Sequence, residues 1–106
     1  MPMDLTMISE YIRNGQYSIT THGYEELDND SITIVELEIA IGEDAPEIIE
    51  DYPDDPRGAS CLILGWPEPN IPVHVCLGVS QNEPEVITAY RPSPNKFWPP
   101  EYRKRR

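Results

Sequence analysis

The hydrophobic pattern of this chain changes period once, and that change limits the folds open to it. Up to Gly42 the apolar residues fall at helical spacing: Leu5, Ile8 and Ile12, then the dense apolar run over residues 35–41. From Glu47 onward they come in short β-type runs. The breaks between them are turn formers, Pro53-Asp-Asp-Pro-Arg-Gly58, Pro67-Glu-Pro-Asn70 and Gln81-Asn-Glu-Pro84. Helices followed by closely spaced strands imply an α+β domain with an antiparallel sheet. At 106 residues the chain is long enough for one such domain and its core.

Local signals fix the predicted elements. Asp4 caps a first helix over residues 4–13, and Asn14-Gly15 ends it. Residues 17–20 read as an extended link, and Thr21 caps a second helix running from His22 to about Leu27. Thr33 and Glu36 form a capping box for a third helix over residues 33–41, with Gly42 placed as its left-handed terminator. Strands are predicted at 47–52, 60–66, 72–79 and 85–90. The predicted fold is therefore α+β, with two or three N-terminal helices packed on one face of a four-stranded antiparallel sheet. Pro92, Pro94, Pro99 and Pro100 forbid regular structure afterwards. The chain thus divides into a domain over residues 1–95 and an extended, proline-rich, basic C-terminal arm over residues 96–106.

Strand alternation then places side chains. Pairing Trp66 with Ile71 sets His74 opposite Ile63 and Cys61 opposite Cys76, and sends Leu62, Leu64, Val73, Val75, Leu77 and Val79 toward the helices. His74 and both cysteines are left on the open face. If Val79 opposes Val86, Arg91 joins His74 there, with Ile87 and Ala89. A slip of one residue replaces Arg91 by Tyr90, and the pattern does not choose between these registers.

Charge is divided unevenly. From Asp4 to Asp55 there are fifteen acids and one base, Arg13; from Pro56 onward there are four acids and seven bases, so the halves carry −14 and +3. An acidic chain binds nucleic acid poorly except through a local basic patch. No apolar run approaches the ~20 residues needed to span a bilayer, and the N-terminus lacks the features of a signal peptide. These readings place the protein in the cytoplasm, away from membranes. Cys61 and Cys76 lie in no metal-binding cluster and are expected to be reduced. The Glu50-Asp51 and Asp54-Asp55 pairs lack the spacing of a calcium loop. No cofactor or metal is expected.

Three side chains have catalytic chemistry: His22 and His74 as acid/base groups, and Arg91 as a guanidinium that can hold a phosphate and stabilise charge on it. Tyr90, Lys96, Trp98 and Arg103 add aromatic faces and cations suited to an unpaired RNA strand. Each also has a structural reading. His22 pairs with Glu26, His74 meets a cross-strand partner, Arg91 bridges to a carboxylate, Trp98 pins the arm, and the basic tail clamps the acidic helices of the chain or of a partner.

The chain resembles the bacterial domain-of-unknown-function 4258 family. The resemblance is carried by Ser18-Ile-Thr-Thr-His22, Ile32-Thr-Ile-Val-Glu36, Ile48-Ile-Glu-Asp-Tyr-Pro53, Ser60-Cys-Leu-Ile-Leu-Gly65, Pro72-Val-His74-Val and Ile87-Thr-Ala-Tyr90-Arg-Pro92. It implies a RelE-like fold, distant kinship with the RelE and BrnT toxins, an antitoxin partner and metal-independent endoribonuclease activity. Two features depart from the family pattern: Glu26 stands where a basic residue usually follows the histidine by four, and Phe97 is inserted before Trp98. The resemblance puts first a toxin-like ribonuclease with RNA as substrate. The alternative is a non-catalytic protein- or ligand-binding member of the same fold. An exposed final strand leaves room for a homodimer.

Overall fold

A computed structural model describes residues 3–43 and 45–106. Helix α1 (Leu5–Arg13) starts where Asp4 accepts the Met7 amide and ends at Asn14, followed by Gly15 at φ 73°. Strand β1 (Ser18–Ile19) leads into α2 (Thr21–Asn29), whose cap is Thr20 instead of Thr21. Helix α3 (Ile34–Glu38) carries the expected reciprocal capping box between Thr33 and Glu36. Four longer strands follow: β2 (Glu47–Tyr52), β3 (Ser60–Glu68), β4 (Ile71–Gly78) and β5 (Glu85–Tyr90).

Gly42 is not a left-handed terminator. Helix α3 widens into a π turn over Ile39–Glu43, and Gly42 lies inside it. The wide turn leaves carbonyls without helical partners, and α1 supplies them. Ser9 donates its hydroxyl to the Ile41 carbonyl at 2.8 Å, and the Arg13 guanidinium donates twice to the Gly42 carbonyl at 2.8 and 3.1 Å.

The sheet has five strands, in the order β1-β5-β4-β3-β2. The four predicted strands pair antiparallel, and the supposed link contributes a fifth, with Ser18 and Ile19 parallel to Glu85 and Val86. The chain enters along that edge because Ser18 and Thr20 donate their amides to the Pro84 and Val86 carbonyls. The final strand, expected to be an exposed edge, is therefore covered by β1 over its first half.

The registers differ from those the pattern suggested, because each long pair contains a bulge. Two residues, Trp66 and Pro67, face Pro72 alone, so β3 and β4 pair as Leu64 with His74, Leu62 with Cys76 and Cys61 with Leu77. Cys61, Ile63, Val73, Val75 and Leu77 then point to the helices and form the core with Ile8, Ile12, Leu27, Leu37 and Ile41. Leu62 and Leu64, expected in that layer, share the other face with His74. Cys61 is in the core and Cys76 half-buried on the far side; both thiols are free. Ile87 is the extra residue between β4 and β5, which leaves Tyr90 opposite His74 and Ala89 opposite Val75 in the core.

The C-terminal segment is not an extended arm. Ser93 accepts the Lys96 and Phe97 amides, Trp98 donates to Lys104, and Arg106 donates to Lys96. A bridge between Phe97 and Arg105 closes the loop. The result is a clasp folded onto the sheet face opposite the helices. No described helix is long and apolar enough to cross a membrane.

Candidate functional site

His74 sits in the middle of β4 beneath the clasp and is fully buried. Its ring meets Phe97 edge-on, with centroids 4.4 Å apart at 86°, and Tyr90 at 5.3 Å. Nε2 lies 2.9 Å from the Tyr102 carbonyl, which only accepts, so Nε2 carries the proton. Nδ1 is then the acceptor for the Tyr90 hydroxyl at 3.3 Å. Burial pushes the imidazole down to about 4, although the Tyr102 carbonyl opposes the shift. The ring is neutral near neutral pH, and both nitrogens are occupied. Burial also pushes the Tyr90 phenol up to about 12.

Arg91 follows Tyr90, so strand alternation turns it toward the helical layer. Its amide donates to Asp30 Oδ2 at 2.7 Å, Nε to the Asp30 carbonyl at 3.3 Å, and Nη2 to the Ser31 carbonyl and Glu36 Oε2, both at 3.2 Å. The guanidinium thus closes the C-terminus of α2 and the sharp turn at Ser31, where φ is 53°. Glu36 fastens at both ends. Its capping bond from the Thr33 amide, helped by the Arg91 guanidinium, holds the carboxyl below the usual range against the opposing effect of desolvation. The expected shared hollow of His74 and Arg91 does not form: one group is sealed beneath the clasp and the other is tied to the α2–α3 turn.

The basic tail meets acids of β2. The bulge at Ile49 places Glu47 opposite Leu64 and Glu50 opposite Leu62, so both carboxylates emerge on the clasp side. Arg103 donates to both Glu47 oxygens at 2.8 and 2.9 Å and also pairs with Glu101. Arg105 holds Glu50 at 2.6 Å and stacks over the Phe97 ring at 4.8 Å. Desolvation raises the Glu50 carboxyl, but the bonds from Arg105 and Tyr52 outweigh it and leave the group below the ordinary range. Trp98 is half-exposed, with the Arg106 guanidinium 3.9 Å over its ring.

The other candidates gather at one place. Tyr90, Arg91, Ser93, Lys96, Phe97, Arg105 and Glu26 line a hollow of about 410 Å³ beside the end of β5. His22 does not line it; it is exposed on α2, with Nε2 3.8 Å from Oε1 of Glu26, which does. Sequence reasoning brought Tyr90, Arg91 and Lys96 to this neighbourhood. It missed Tyr102, Glu47, Glu50 and the plugging role of Phe97. Their partners lie 23 to 56 residues away in the chain, and no local pattern records such pairings.

These features define a small α+β domain that carries helices on one sheet face and its own C-terminus on the other. The chain belongs to the domain-of-unknown-function family DUF4258, whose profile matches residues 19–91. That match begins in β1 and stops at Arg91, so α1 and the clasp lie outside it. No curated protein and no solved structure gives a significant match.

Proposed function

We propose that this chain is a non-catalytic binding member of its family, acting in the cytoplasm on a protein partner with a basic surface. The observation that carries this reading is the internal use of cations. Arg91, Arg103 and Arg105 are each paired with a carboxylate of the chain itself. The basic end therefore neutralises local acids, and the outward charge of the helical half stays strongly negative. Such a surface attracts cationic proteins and repels polyphosphates. The test is incubation of the purified chain with total RNA, with and without chelator, beside overexpression in cells. Intact RNA and unimpaired growth are expected. Cleavage, or growth arrest dependent on a folded chain, would overturn the reading.

A second reading is favoured by the hollow beside β5. It is the toxin-like one: metal-independent RNA cleavage, kinship with RelE and BrnT, and a cognate antitoxin. There the ribose 2′-hydroxyl passes its proton to the His22 imidazole as its oxygen bonds to the adjacent phosphorus, the bond to the 5′-oxygen of the next nucleotide breaks and that oxygen takes up a proton, a 2′,3′-cyclic phosphate remains, and Arg91 with Lys96 stabilises the charge. Growth arrest abolished by His22→Ala and by Lys96→Ala, both exposed positions, would support it. Loss of effect in His74→Ala or Arg91→Ala carries less weight, since both residues hold the fold.

A further inference from the structure

The helical side bears a shallow hollow, part apolar and part polar in its lining, that neither reading above uses. Tyr24 of α2 and Ile34 of α3 are 57% and 40% exposed, and with Tyr17, Ile19 and Glu38 they line a depression of about 250 Å³. Val35, the next residue of α3, is 65% exposed. An isolated exposed apolar side chain is ordinary, but a contiguous group around a hollow is not. The volume falls below the range of small-molecule pockets and suits one or two anchoring side chains.

The rim is acidic. The two helices beside the hollow carry five acids, Glu25, Glu26, Asp28, Glu36 and Glu38, and no Lys or Arg. Glu38 stands in the hollow with Oε2 accepting the Tyr17 hydroxyl at 2.7 Å, which fixes a carboxylate beside the apolar floor. That charge selects the occupant. RNA is repelled by it. A second copy in a two-fold contact would set the same acidic rim against itself. A protein segment with an apolar anchor flanked by lysine or arginine satisfies both the floor and the rim.

We infer that the hollow between β1, α2 and α3 is the docking site of such a basic, apolar-anchored segment of a protein partner. This rests on the protein-binding reading and gives it a place. The docked segment buries an apolar side chain between Tyr24 and Ile34, and its cation faces Glu38.

The test is an NMR titration of the isotope-labelled full chain with a synthetic helical peptide that presents leucines on one face and lysines on the other. A second peptide has glutamate in place of lysine. Saturable shifts centred on Ile19, Tyr24, Ile34 and Glu38 are expected with the lysine peptide only. Tyr24→Ala combined with Ile34→Ser is expected to weaken binding by about tenfold or more. Val35→Lys should weaken it through like charge, and all three substituted side chains are exposed. Shifts spread over the whole acidic surface, shifts centred on β2, equal response to both peptides, or wild-type affinity in the variants would overturn the inference. RNA added to the same samples separates the two levels. Cleavage with intact docking removes only the non-catalytic reading; intact RNA without docking at this face removes only the site.

Discussion

The His74 imidazole donates through Nε2 to the Tyr102 carbonyl at 2.9 Å, so a strand residue inside the family domain is closed off by a residue beyond it. Tyr102 is itself held at φ 59°, a left-handed backbone that aims this carbonyl at the ring. Removing the imidazole orphans the Tyr102 carbonyl and the Tyr90 hydroxyl and leaves a void against Phe97. His74→Ala is expected to lose about 2–4 kcal/mol of stability. His74→Gln, whose amide can still donate, is expected to lose less. Urea unfolding of the two variants checks the order.

Acid should weaken the fold through the same residue. The unfolded imidazole takes a proton near 6.5, whereas the folded ring resists until about 4. Between these values the unfolded chain binds more protons, so stability rises with pH; it is lost as pH falls through that window. Glu36 and Glu50, held below the ordinary 4.5 of a glutamate, begin to add their own loss only at the acid end. Unfolding free energy measured from pH 7 downward should therefore start to fall before Glu36 and Glu50 contribute. His74→Gln should flatten that first part of the curve.

Arg91 is expected to show itself as a fold residue. Arg91→Ala removes the side-chain bonds to the Asp30 and Ser31 carbonyls, keeps the amide bond to the Asp30 carboxylate, and leaves Glu36 without its cation. A loss of about 1–3 kcal/mol follows, or roughly 5–15 °C in melting temperature for a domain of this size. Arg91→Lys should recover only part of it, since an ammonium cannot span Asp30, Ser31 and Glu36 with one planar fork. Thermal melts by circular dichroism read both values.

The caps show what the sequence makes legible and what it hides. Asp4 and the Thr33–Glu36 pair are local chemistry, written within four residues, and the structure contains them. The division into helical and sheet halves is equally visible, because period is a local property. Register is not local. A bulge at Trp66–Pro67 reverses which β3 residues face the helices, and another at Ile87 exchanges Arg91 for Tyr90 beside His74. Strand β1 is too short to display a period. The clasp was hidden for a different reason. Its prolines exclude helix and ladder, but they do not exclude a folded loop whose stability comes from Phe97 and from acids on β2.

Gly65 is one place where close packing, invisible in the pattern, can be tested. A Cβ there would lie 2.7 Å from the Ala40 carbonyl carbon and 2.8 Å from the Ala40 Cβ, since the π turn crosses β3 directly above it. Neither neighbour is a flexible side-chain end. Gly65→Ala is expected to destabilise by about 1–3 kcal/mol or more, with the loss located at the contact of α3 with the sheet. Hydrogen exchange at residues 39–43 should accelerate more than exchange in α1.

The clasp depends on Phe97. Its ring is 1% exposed and plugs the sheet face over His74. The remaining ties are mostly surface ion pairs, which stabilise weakly and are screened by salt. Truncating a buried phenylalanine in a core costs about 3–5 kcal/mol, more than such ties restore to a terminal segment. Phe97→Ala should therefore release the clasp locally while the five-stranded sheet persists. Three changes are expected together: loss of hydrogen-exchange protection at the Trp98 and Arg106 amides, unchanged protection in β3 and β4, and a return of the His74 imidazole toward 6.5 as water reaches it. Following the histidine ring protons by NMR across a pH titration reads the last of these. A His74 value still near 4 in Phe97→Ala would mean that the sheet, not the clasp, keeps the imidazole dry.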